Sequence, residues 1–413
     1  MPRDVAVVVV GDEILQGRRN EANAAWLART LFEMGVPLSE TRVVSDYPSS
    51  LERALRDLRS SGRTVLVTGG LGPTRDDRTR EEAARAFGRK VSRSPEALAL
   101  VRSSYERRGI HLDPAGEVQG DLPEGAALVP NPAGTAPAFL LESDGFRVVC
   151  MPGVPREMRA IFQESVAPML ADSADRPGIA RMFTHGLGES LQEGLMADLA
   201  LDDVDFCSLP GMWGVEIQCL ARGAASDRDA RAREALSQVA DRLGESVVRP
   251  LGTTLRQALL QGLRDKGWQV AFAESCTAGL ACSELAAEPG ASDVLAGGVV
   301  SYSNALKTSL LGVSPATLEA HGAVSRETAL EMARGAAKIC PNGKGLGLSV
   351  TGIAGPSGGS PEKPVGLVWI AAVSPDGEEA RELRLLGSRD DIRQRAAWRL
   401  IGLGWNVVRG NLA

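Results

Sequence analysis

The sequence predicts an α/β protein in which a doubly wound amino-terminal domain, a small α+β connector and a carboxyl-terminal α/β domain follow one another. Short β-branched runs alternate with helical stretches, which is typical of βαβ units and mainly parallel sheets. Runs such as Val5–Val10 lack polar alternation, as expected of strands covered on both faces. The polar, turn-rich stretch ADSADRPG (171–178) separates the first domain from the rest.

Composition narrows the class of protein. The chain has 413 residues, of which 44% are hydrophobic and 24% charged, so it is globular and too long for one ordinary core. Its net charge of −6 makes nucleic acid an unlikely partner. No apolar run at the amino terminus is long enough to span a bilayer, and the six scattered cysteines favour neither disulfides nor zinc. We therefore expect a cytoplasmic protein without membrane contact.

The first domain, residues 1–170, is predicted from a βαβαβ series. Its strands lie at 5–10, 37–44, 64–70 and 147–155, and its helices at 22–34, 49–60 and 155–170. The connector, residues 171–250, is predicted to hold strands near 180–186 and 214–223 and helices at 189–199 and 226–243. Because the connector shows no convergent polar cluster, we expect it to place the domains or to form dimer contacts.

The third domain, residues 251–413, again alternates strands with helices. Predicted strands lie in QVAFAES (269–275), LAGGVVSYS (295–303), GLGLSVTG (345–352) and VGLVWIAAV (365–373). Predicted helices cover 254–266, 278–287, 304–311, 325–338 and 388–408. This pattern predicts a second α/β sheet.

Two segments of the first domain follow directly on strands, where open α/β sheets bind ligands. In TGGLGPTRDDRT (68–79), three glycines allow close backbone approach to a phosphate, and a helix that begins near Asp77 offers amide donors. Carboxylates on the two segments are candidate ligands of a divalent cation: Asp12, Glu13, Asp76 and Asp77. The alternative is an ordinary turn with an aspartate cap. NPAGTAP (131–137) is either a ligand-facing loop or a simple turn.

These segments, with GDEIL (11–15), Asn20, Asn23 and MPGVPREM (151–158), resemble the molybdopterin-binding-type domain of the CinA (competence/damage-inducible) family. The resemblance implies hydrolysis of the pyrophosphate bond of ADP-ribose with a divalent metal ion as cofactor. It implies substrate contacts from Thr68, Gly69, Gly70, Gly72, Thr74, Asn131, Gly134 and Thr135. One stretch departs from the pattern, GEVQGD (116–121) in place of Asn-x-x-Gln-Ala.

In the third domain, AESCTAG (273–279) places a hydroxyl and a thiol at a predicted strand-to-helix turn. A cysteine nucleophile needs a thiolate, usually secured by a histidine, and His321 is the one histidine of this domain. A serine needs an adjacent base. In SYSNALK (301–307), Lys307 follows Tyr302 at another strand-to-helix junction and is the candidate base, although an exposed helix lysine is the alternative.

The stretch SVTGIAGPSGGSPEKPVG (349–366) is predicted to form a rigid loop that offers backbone amides to an oxyanion or phosphate. Arg389 and Arg393 head the terminal helix and are candidate phosphate ligands, with plain solvated charge as the alternative.

Together these motifs resemble the CinA carboxyl-terminal domain, which is similar to nicotinamide mononucleotide amidohydrolases. The resemblance implies Ser275 as nucleophile, Lys307 as its base and Tyr302 as an assisting group, with no cofactor. It implies substrate contacts from Thr277, Ser303, Thr351, Gly352, Gly355, Arg389 and Arg393. Ala278 replaces a more usual glycine, which we expect to be tolerated unless its φ is positive.

The sequence thus predicts a homodimeric enzyme of pyridine-nucleotide salvage that acts on small-molecule nucleotides through two hydrolase domains. Two other classes stay open. A molybdopterin-binding module would bind pterin and leave ADP-ribose intact, whereas a competence or recombination accessory protein would act through protein or DNA contacts.

Overall fold

The computed structural model describes residues 4–60, 62–170, 176–199, 203–223, 226–341 and 345–411. The chain divides into two compact units, Met1–Pro177 with Arg222–Ser226 and Gly178–Ala221 with Asp227–Ala413.

The first unit is built on a six-stranded sheet. Within its described residues the unit has eight strands: β1 (Val5–Val10), β2 (Leu38–Val44), β3 (Thr64–Thr68), β4 (Val91–Arg93), β5 (Asp121–Pro123), β6 (Ala127–Val129), β7 (Ala138–Ser143) and β8 (Phe146–Met151). The order is β2-β1-β3-β8-β7-β6, while β4 and β5 pair separately. Since β2, β1, β3 and β8 are parallel, the loops that leave their carboxyl ends share one edge of the sheet.

Helices cover both faces of this sheet. They are α1 (Asp12–Leu15), α2 (Asn23–Glu33), α3 (Ser50–Arg59), α4 (Thr79–Ala86), α5 (Pro95–Arg107), α6 (Pro155–Ile161) and α7 (Ala167–Leu170). Val7 packs with Leu27 of α2 in one core cluster, whereas Val8 packs with Leu55 of α3 in another. The apolar run of β1 is therefore buried on both faces, as its lack of alternation predicts.

The second unit contains two sheets. Its strands are β9 (Gly178–Thr184), β10 (Val204–Gly211), β11 (Gly214–Ala221), β12 (Gln269–Glu274), β13 (Leu295–Val300), β14 (Gly345–Gly352), β15 (Leu367–Ser374) and β16 (Gly377–Arg384). A three-stranded antiparallel sheet has the order β10-β11-β9, and a five-stranded sheet has the order β13-β12-β14-β15-β16. In the larger sheet, β12 is parallel to both of its neighbours.

The helices of this unit are α8 (Glu189–Met196), α9 (Arg228–Leu243), α10 (Leu255–Lys266), α11 (Leu280–Ala286), α12 (Asn304–Leu311), α13 (Pro315–His321), α14 (Arg326–Ala337) and α15 (Arg389–Val408). The core of the larger sheet joins β12 and β14 to α10 and α15 through residues such as Phe272, Leu348, Leu259 and Leu400. The α/β fold class predicted from the sequence is confirmed.

Of the elements that the structure describes, six strands, three helices and one helix start differ from the sequence prediction. The prediction lacks β4, β5, β6, β7, β10 and β16, together with α1, α5 and α13. Of these strands, β10 and β16 are antiparallel edge strands, and β16 (GEEARELR) carries five charged residues. Edge strands tolerate charge because one side faces water, so their hydrophobic signal is weak. The helix after the glycine loop begins at Thr79 and not near Asp77.

The predicted boundary between residues 170 and 171 adjoins 171–175, which lie outside the described residues. Residues 178–221 and 227–250, the body of the predicted connector, belong to the same compact unit as the larger sheet. The division into three domains stays a prediction. Within the described ranges, no helix has the length and apolar character needed to cross a bilayer.

Candidate functional site

Ser275 lies in the turn between β12 and α11, at the carboxyl end of the larger sheet. Its backbone N–H donates to the Val350 carbonyl on β14 at 3.0 Å, and the Ser301 N–H donates to the Glu274 carbonyl at 2.8 Å. These bonds join the turn to both neighbouring strands. Ser275 is 8% exposed, so its hydroxyl lies below the surface.

Glu274, the last residue of β12, holds this turn in place. Its buried carboxylate accepts hydrogen bonds from the N–H groups of Gly279 (2.9 Å), Ala281 (3.2 Å) and Cys282 (2.8 Å). These are donors at the start of α11 that lack helical partners. This role was not predicted from the sequence, although an acidic residue that ends an apolar strand just before a helix start is a usable signal.

Lys307 reaches the Ser275 hydroxyl from α12. Its Nζ lies 3.0 Å from Ser275 Oγ, 2.7 Å from the Ser301 carbonyl and 3.4 Å from the Tyr302 carbonyl. A neutral amine has two N–H donors and one lone pair. The two carbonyls accept the two donors, which leaves the lone pair for the proton of the Ser275 hydroxyl.

Burial sets the protonation of this lysine. Lys307 is 1% exposed, and burial lowers the pKa of its amine, because a buried ammonium loses its hydration. A lower pKa increases the fraction of neutral amine at a given pH, and a neutral lysine amine can act as a general base.

Cys276 does not have the properties of a nucleophile. Burial raises the pKa of its thiol to about 12, so it remains protonated. His321 is exposed and its Nδ1 lies 3.7 Å from Glu327 Oε2. The packing role that the sequence favours for Cys276 agrees with its position in the hydrophobic core.

The Tyr302 hydroxyl does not contact the lysine amine. It accepts a hydrogen bond from Arg389 Nη2 at 3.0 Å, and the side chain is 57% exposed. Only the backbone carbonyl of Tyr302 contacts Lys307. In this geometry the phenol lies at the rim of the site and does not hold the amine, and the assisting role that the resemblance implies for Tyr302 stays a prediction.

Arg389 and Arg393, two of the four arginines of α15, hold backbone atoms around the site. Arg389 Nη1 donates to the Gly355 carbonyl at 2.6 Å. Arg393 donates to the carbonyls of Cys276 (3.2 Å) and Thr277 (3.1 Å), and it pairs with Asp390. Arg393 therefore positions the nucleophile turn, and the substrate contact that the resemblance implies for it stays a prediction.

Two buried hydroxyls near Ser275 lack partners. Thr277 Oγ1 and Ser301 Oγ make no hydrogen bond to any residue that the structure describes. Both residues are fully buried. Unpaired buried hydroxyls are costly, so a ligand or water that pairs with them would be stabilised.

The other predicted substrate residues of this domain have structural partners. Ser303 caps α12 by accepting from the Leu306 N–H, and the Thr351 hydroxyl donates to the Ala323 carbonyl at 2.7 Å. Gly352 ends β14 at the start of the loop, and Gly355 has a φ of +77°. Ser303 thus shapes the start of α12, whereas Thr351, Gly352 and Gly355 shape the loop.

Ala278 adopts a φ of +54°, the left-handed region that disfavours alanine. The condition under which the substitution should be tolerated, a negative φ, is therefore not met. The turn keeps this strained conformation because Glu274 and Arg393 hold the residues around it.

In the first unit, the loop after β3 has its own internal supports. The buried Thr68 hydroxyl accepts from Asn23 Nδ2 at 3.0 Å and donates to the Pro152 carbonyl at 3.1 Å. Arg80, 2% exposed, donates to the carbonyls of Leu71 and Gly72. The loop is thus held by buried side chains that sequence reasoning did not select.

Each glycine of this loop stands where a side chain would collide. Gly69 and Gly70 have φ values of +111° and +67°. A Cβ at Gly69 would meet the Val10 carbonyl, and one at Gly70 would meet Thr79. Gly72 leaves room for the Asp77 carboxylate. The glycines are required by the loop itself, before any phosphate is considered.

The predicted metal ligands divide into two groups. Asp77 accepts from the Thr74 N–H (2.9 Å) and hydroxyl (2.5 Å), which is the structural role named as the alternative. The Glu13 carboxylate lies over Gly11: its Oε2 atom is 2.8 Å from the position that a Cβ on Gly11 would take.

Asp12, by contrast, lies near a carboxylate that the sequence analysis missed. The Asp12 N–H donates to Asp46 Oδ2 at 3.4 Å, and the Ser45 hydroxyl donates to Asp12 Oδ1 at 2.6 Å. Burial raises the pKa of Asp46, and the negative charges of Asp12 and Asp76 raise it further. Asp46 follows β2 just as Asp12 follows β1, a signal that the predicted topology contained.

Within the described part of the chain, no three histidine, cysteine or acidic side chains are grouped closely enough to hold a metal ion. Mg²⁺ commonly binds through one or two carboxylates together with waters and substrate phosphates. The carboxylates near Asp12 therefore fit a cation that arrives with its substrate, and they do not form a closed cage.

A cavity of 190 Å³ lies beside the NPAGTAP loop and is lined by Asn131, Gly134 and Thr135. Asn131 Nδ2 donates to Glu157 Oε2 at 2.7 Å and to the Ala136 carbonyl at 2.8 Å. A side chain at Gly134 would collide with Glu157. The predicted substrate residues of this loop thus share one small cavity.

Comparison with known proteins gives the family. The model of the CinA C-terminal domain matches residues 252–401, and that of a probable molybdopterin binding domain matches residues 6–172. The CinA-like protein of Geobacter sulfurreducens is 38% identical over 409 residues, 97% of this chain and 98% of that protein. The CinA-like protein of Salinibacter ruber is 36% identical over 389 residues, 93% of this chain and 94% of the relative.

Among solved structures, the protein CinA of Thermoplasma acidophilum, whose function is described as unknown, is 32% identical. It covers 40% of this chain and 98% of its own, with a TM-score of 0.38. The whole-length sequence similarity, together with the two domain matches, shows that this chain belongs to the CinA family.

Proposed function

We propose that the second unit is an amidohydrolase that converts nicotinamide mononucleotide into nicotinic acid mononucleotide and ammonia. The observation that carries the proposal is the contact between Lys307 Nζ and Ser275 Oγ, 3.0 Å, at an amine whose other directions are occupied by carbonyls. The substrate class comes from the resemblance of the motifs.

In the proposed first half-reaction, Ser275 Oγ attacks the amide carbon while Lys307 takes its proton. Collapse of the tetrahedral intermediate breaks the C–N bond, and the Lys307 ammonium returns the proton to the leaving nitrogen, so ammonia departs. In the second half-reaction, water attacks the acyl ester as Lys307 accepts its proton. Ser275 then leaves with that proton, and the nicotinic acid product is released.

Thr277 is the donor that we propose for the oxyanion. Its buried hydroxyl lacks a partner among the described residues, and its N–H makes no hydrogen bond to them. Donors that are already in place where negative charge develops need no reorganisation during the reaction. For the substrate phosphate we propose Arg389, which is exposed at the rim beside the Gly355 loop.

The test is the release of ammonia from nicotinamide mononucleotide by the full chain. Ser275→Ala should abolish release, because no nucleophile remains. Cys276→Ala is the matched control and should keep most of the activity, since the protonated thiol does not react. Retained activity in Ser275→Ala, or its loss in Cys276→Ala alone, would refute the assignment.

For the first unit we propose metal-dependent hydrolysis of ADP-ribose to AMP and ribose 5-phosphate. Asp12, Asp46 and Asp76 concentrate negative charge at the carboxyl ends of adjacent parallel strands. A divalent cation bound there would offset that charge and the charge of the substrate pyrophosphate. Residues of this chain supply the ligands and the glycine loop that admits the phosphates.

The matched pair for this test is Asp12→Asn and Asp77→Asn. Asp12→Asn should abolish Mg²⁺-stimulated AMP formation, whereas Asp77→Asn should act mainly by loosening the Thr74 turn and lowering the midpoint of thermal unfolding. Metal-stimulated hydrolysis that survives in Asp12→Asn would refute the metal assignment.

A second candidate for the first unit is pterin binding, favoured by the match to a probable molybdopterin binding domain. A pterin that copurifies with the chain, together with intact ADP-ribose after incubation with Mg²⁺, would select this candidate.

We further propose that the protein acts as a cytoplasmic homodimer. Sedimentation of the purified chain would test the oligomeric state.

A further inference from the structure

The second unit contains a cavity that belongs to none of the sites described above. It has a volume of about 710 Å³, within the range of about 300–1,000 Å³ common for ligand pockets. Side chains from the three-stranded sheet and from the carboxyl-terminal region line it, among them His185, Met212, Trp213, Arg384, Arg395 and Arg399.

The charge of this cavity is predominantly positive. Arg395 and Arg399 lie one turn apart on α15, and neither makes a hydrogen bond or ion pair with another residue in the described ranges. Burial and the positive charge of Arg395 lower the pKa of Arg399, as expected where no carboxylate compensates. Arg384 adds a third guanidinium, paired with Glu382. Of the described lining residues, Glu189 alone carries a carboxylate.

The rest of the lining includes aromatic and apolar side chains. The Trp213 ring makes an edge contact with Phe183, with ring centroids 5.1 Å apart. Met212 is 38% exposed and Leu386 is 79% exposed. A lining that combines apolar side chains with guanidinium groups matches a ligand with a flat ring at one end and an anion at the other.

We propose that this cavity binds a nucleoside phosphate, with the phosphate held by Arg395 and Arg399 and the base placed against Trp213. Guanidinium groups match phosphate oxygens bidentately and are weakly hydrated, so they bind phosphates well. Flat bases gain contact area on an indole face. A free phosphate would contact the arginines, but the apolar side chains of the cavity would remain without a partner.

Helix geometry separates this cavity from the Ser275 site. Residues four apart on a helix share a face, so Arg389 and Arg393 face one direction while Arg395 and Arg399 face another. The offset of two residues from Arg393 to Arg395 corresponds to about 200° around the axis. α15 therefore carries two arginine pairs on different faces, and the inference does not depend on the proposed amidase.

Hydrogen–deuterium exchange of the full chain tests the location directly. Addition of AMP should slow exchange in peptides that cover 209–215 and 384–388. Arg395→Gln with Arg399→Gln should raise the AMP concentration needed for half-maximal protection at least tenfold. Arg233→Gln, which removes an exposed arginine of α9 outside the cavity, should leave that concentration unchanged.

Ribose 5-phosphate and adenosine separate the two halves of the ligand. Each should protect the same peptides only at concentrations at least tenfold above that of AMP. Equal protection by ribose 5-phosphate would overturn the nucleoside assignment. AMP protection that is absent from these peptides, that survives in the double variant, or that is lost equally in Arg233→Gln would overturn the site.

Discussion

Lys307 Nζ lies 3.0 Å from Ser275 Oγ, although the two residues are 32 positions apart in the chain. Two carbonyls, those of Ser301 and Tyr302, take the donor directions of the amine. Because burial lowers the pKa of this amine, a lone pair becomes available at a pH where an exposed lysine remains protonated.

This relationship predicts the pH dependence of amide hydrolysis. The base must be neutral, so kcat/KM for nicotinamide mononucleotide should rise as the pH increases through the pKa of Lys307 and then level off. The midpoint should lie below about 10.4, the ordinary lysine value. Initial rates across pH 5 to 10 would show it.

Substitutions at Lys307 sharpen this prediction. Lys307→Arg retains a positive charge but has no accessible neutral form, so the rate should fall by about 10²–10⁴-fold, the usual contribution of a general base. Lys307→Met removes the amine but keeps a side chain of similar volume, so it tests the loss of the amine itself. A profile that keeps its wild-type midpoint in either variant would show that another group is titrating.

Glu274→Gln tests the carboxylate that holds the nucleophile turn. Glutamine keeps one acceptor oxygen but points an amide toward N–H donors, so about 1–3 kcal/mol of stability should be lost. We expect the rate of amide hydrolysis to fall with little change in KM, because Ser275 loses its orientation. The exposed Glu319→Gln is the control and should alter neither. Wild-type kinetics in Glu274→Gln would contradict the positioning role.

Ala278→Gly should stabilise the protein. Alanine at a φ of +54° costs about 1–2 kcal/mol, and glycine avoids this cost while losing about 0.5–1 kcal/mol through the entropy of the unfolded chain. A net gain of up to about 1.5 kcal/mol in the free energy of unfolding is expected. Ala281→Gly, in helix α11 at a negative φ, should instead destabilise by about 1 kcal/mol. Equal effects at both positions would argue against strain at Ala278.

His185 makes the stability of the second unit depend on pH. Burial lowers the pKa of His185 to about 4, and the positive charges of Arg399, Arg381 and Arg409 disfavour its protonation further. The Nδ1 atom of His185 lies 2.9 Å from the Trp213 carbonyl. Below about pH 6.5 the unfolded chain binds a proton that the folded chain does not. Stability should therefore fall as the pH decreases from about 6.5 to 4, by roughly 3 kcal/mol.

Unfolding by denaturant at several pH values measures this change. His185→Gln should flatten the acid side of the profile, whereas His111→Gln, which replaces an exposed histidine, should leave it intact. The same slope in wild type and His185→Gln would assign the dependence to other groups.

Local motifs made part of the candidate site predictable. Ser275 and Lys307 each lie in a short segment at a predicted strand-to-helix junction, and parallel strands bring such junctions to one edge of a sheet. The pairing of the two residues could therefore be inferred before the structure. The same argument applies to Asp46, which also follows a parallel strand. It was not predicted, because a single aspartate after a strand has no distinctive neighbours.

Residues whose roles depend on distant backbone atoms were not predictable. Arg393 donates to carbonyls that lie more than 100 residues away, and the Tyr302 hydroxyl meets Arg389 from another element. Nothing in their local sequence distinguishes a side chain that supports a turn from one that binds a ligand. The cavity lined by Trp213 and Arg399 could not be predicted from the sequence either, because segments from two sheets form it.

By itself, the sequence determined the α/β class, the order of most strands and helices, and the segments that carry Ser275, Lys307 and the glycine loop. Those features depend on periodicity and on residues within a few positions of one another. The tertiary structure alone decided that Glu274 and Arg393 hold the nucleophile turn, that Ala278 is strained and that Asp46 joins Asp12. Each of these depends on distances between atoms that only the packing of separate elements brings together.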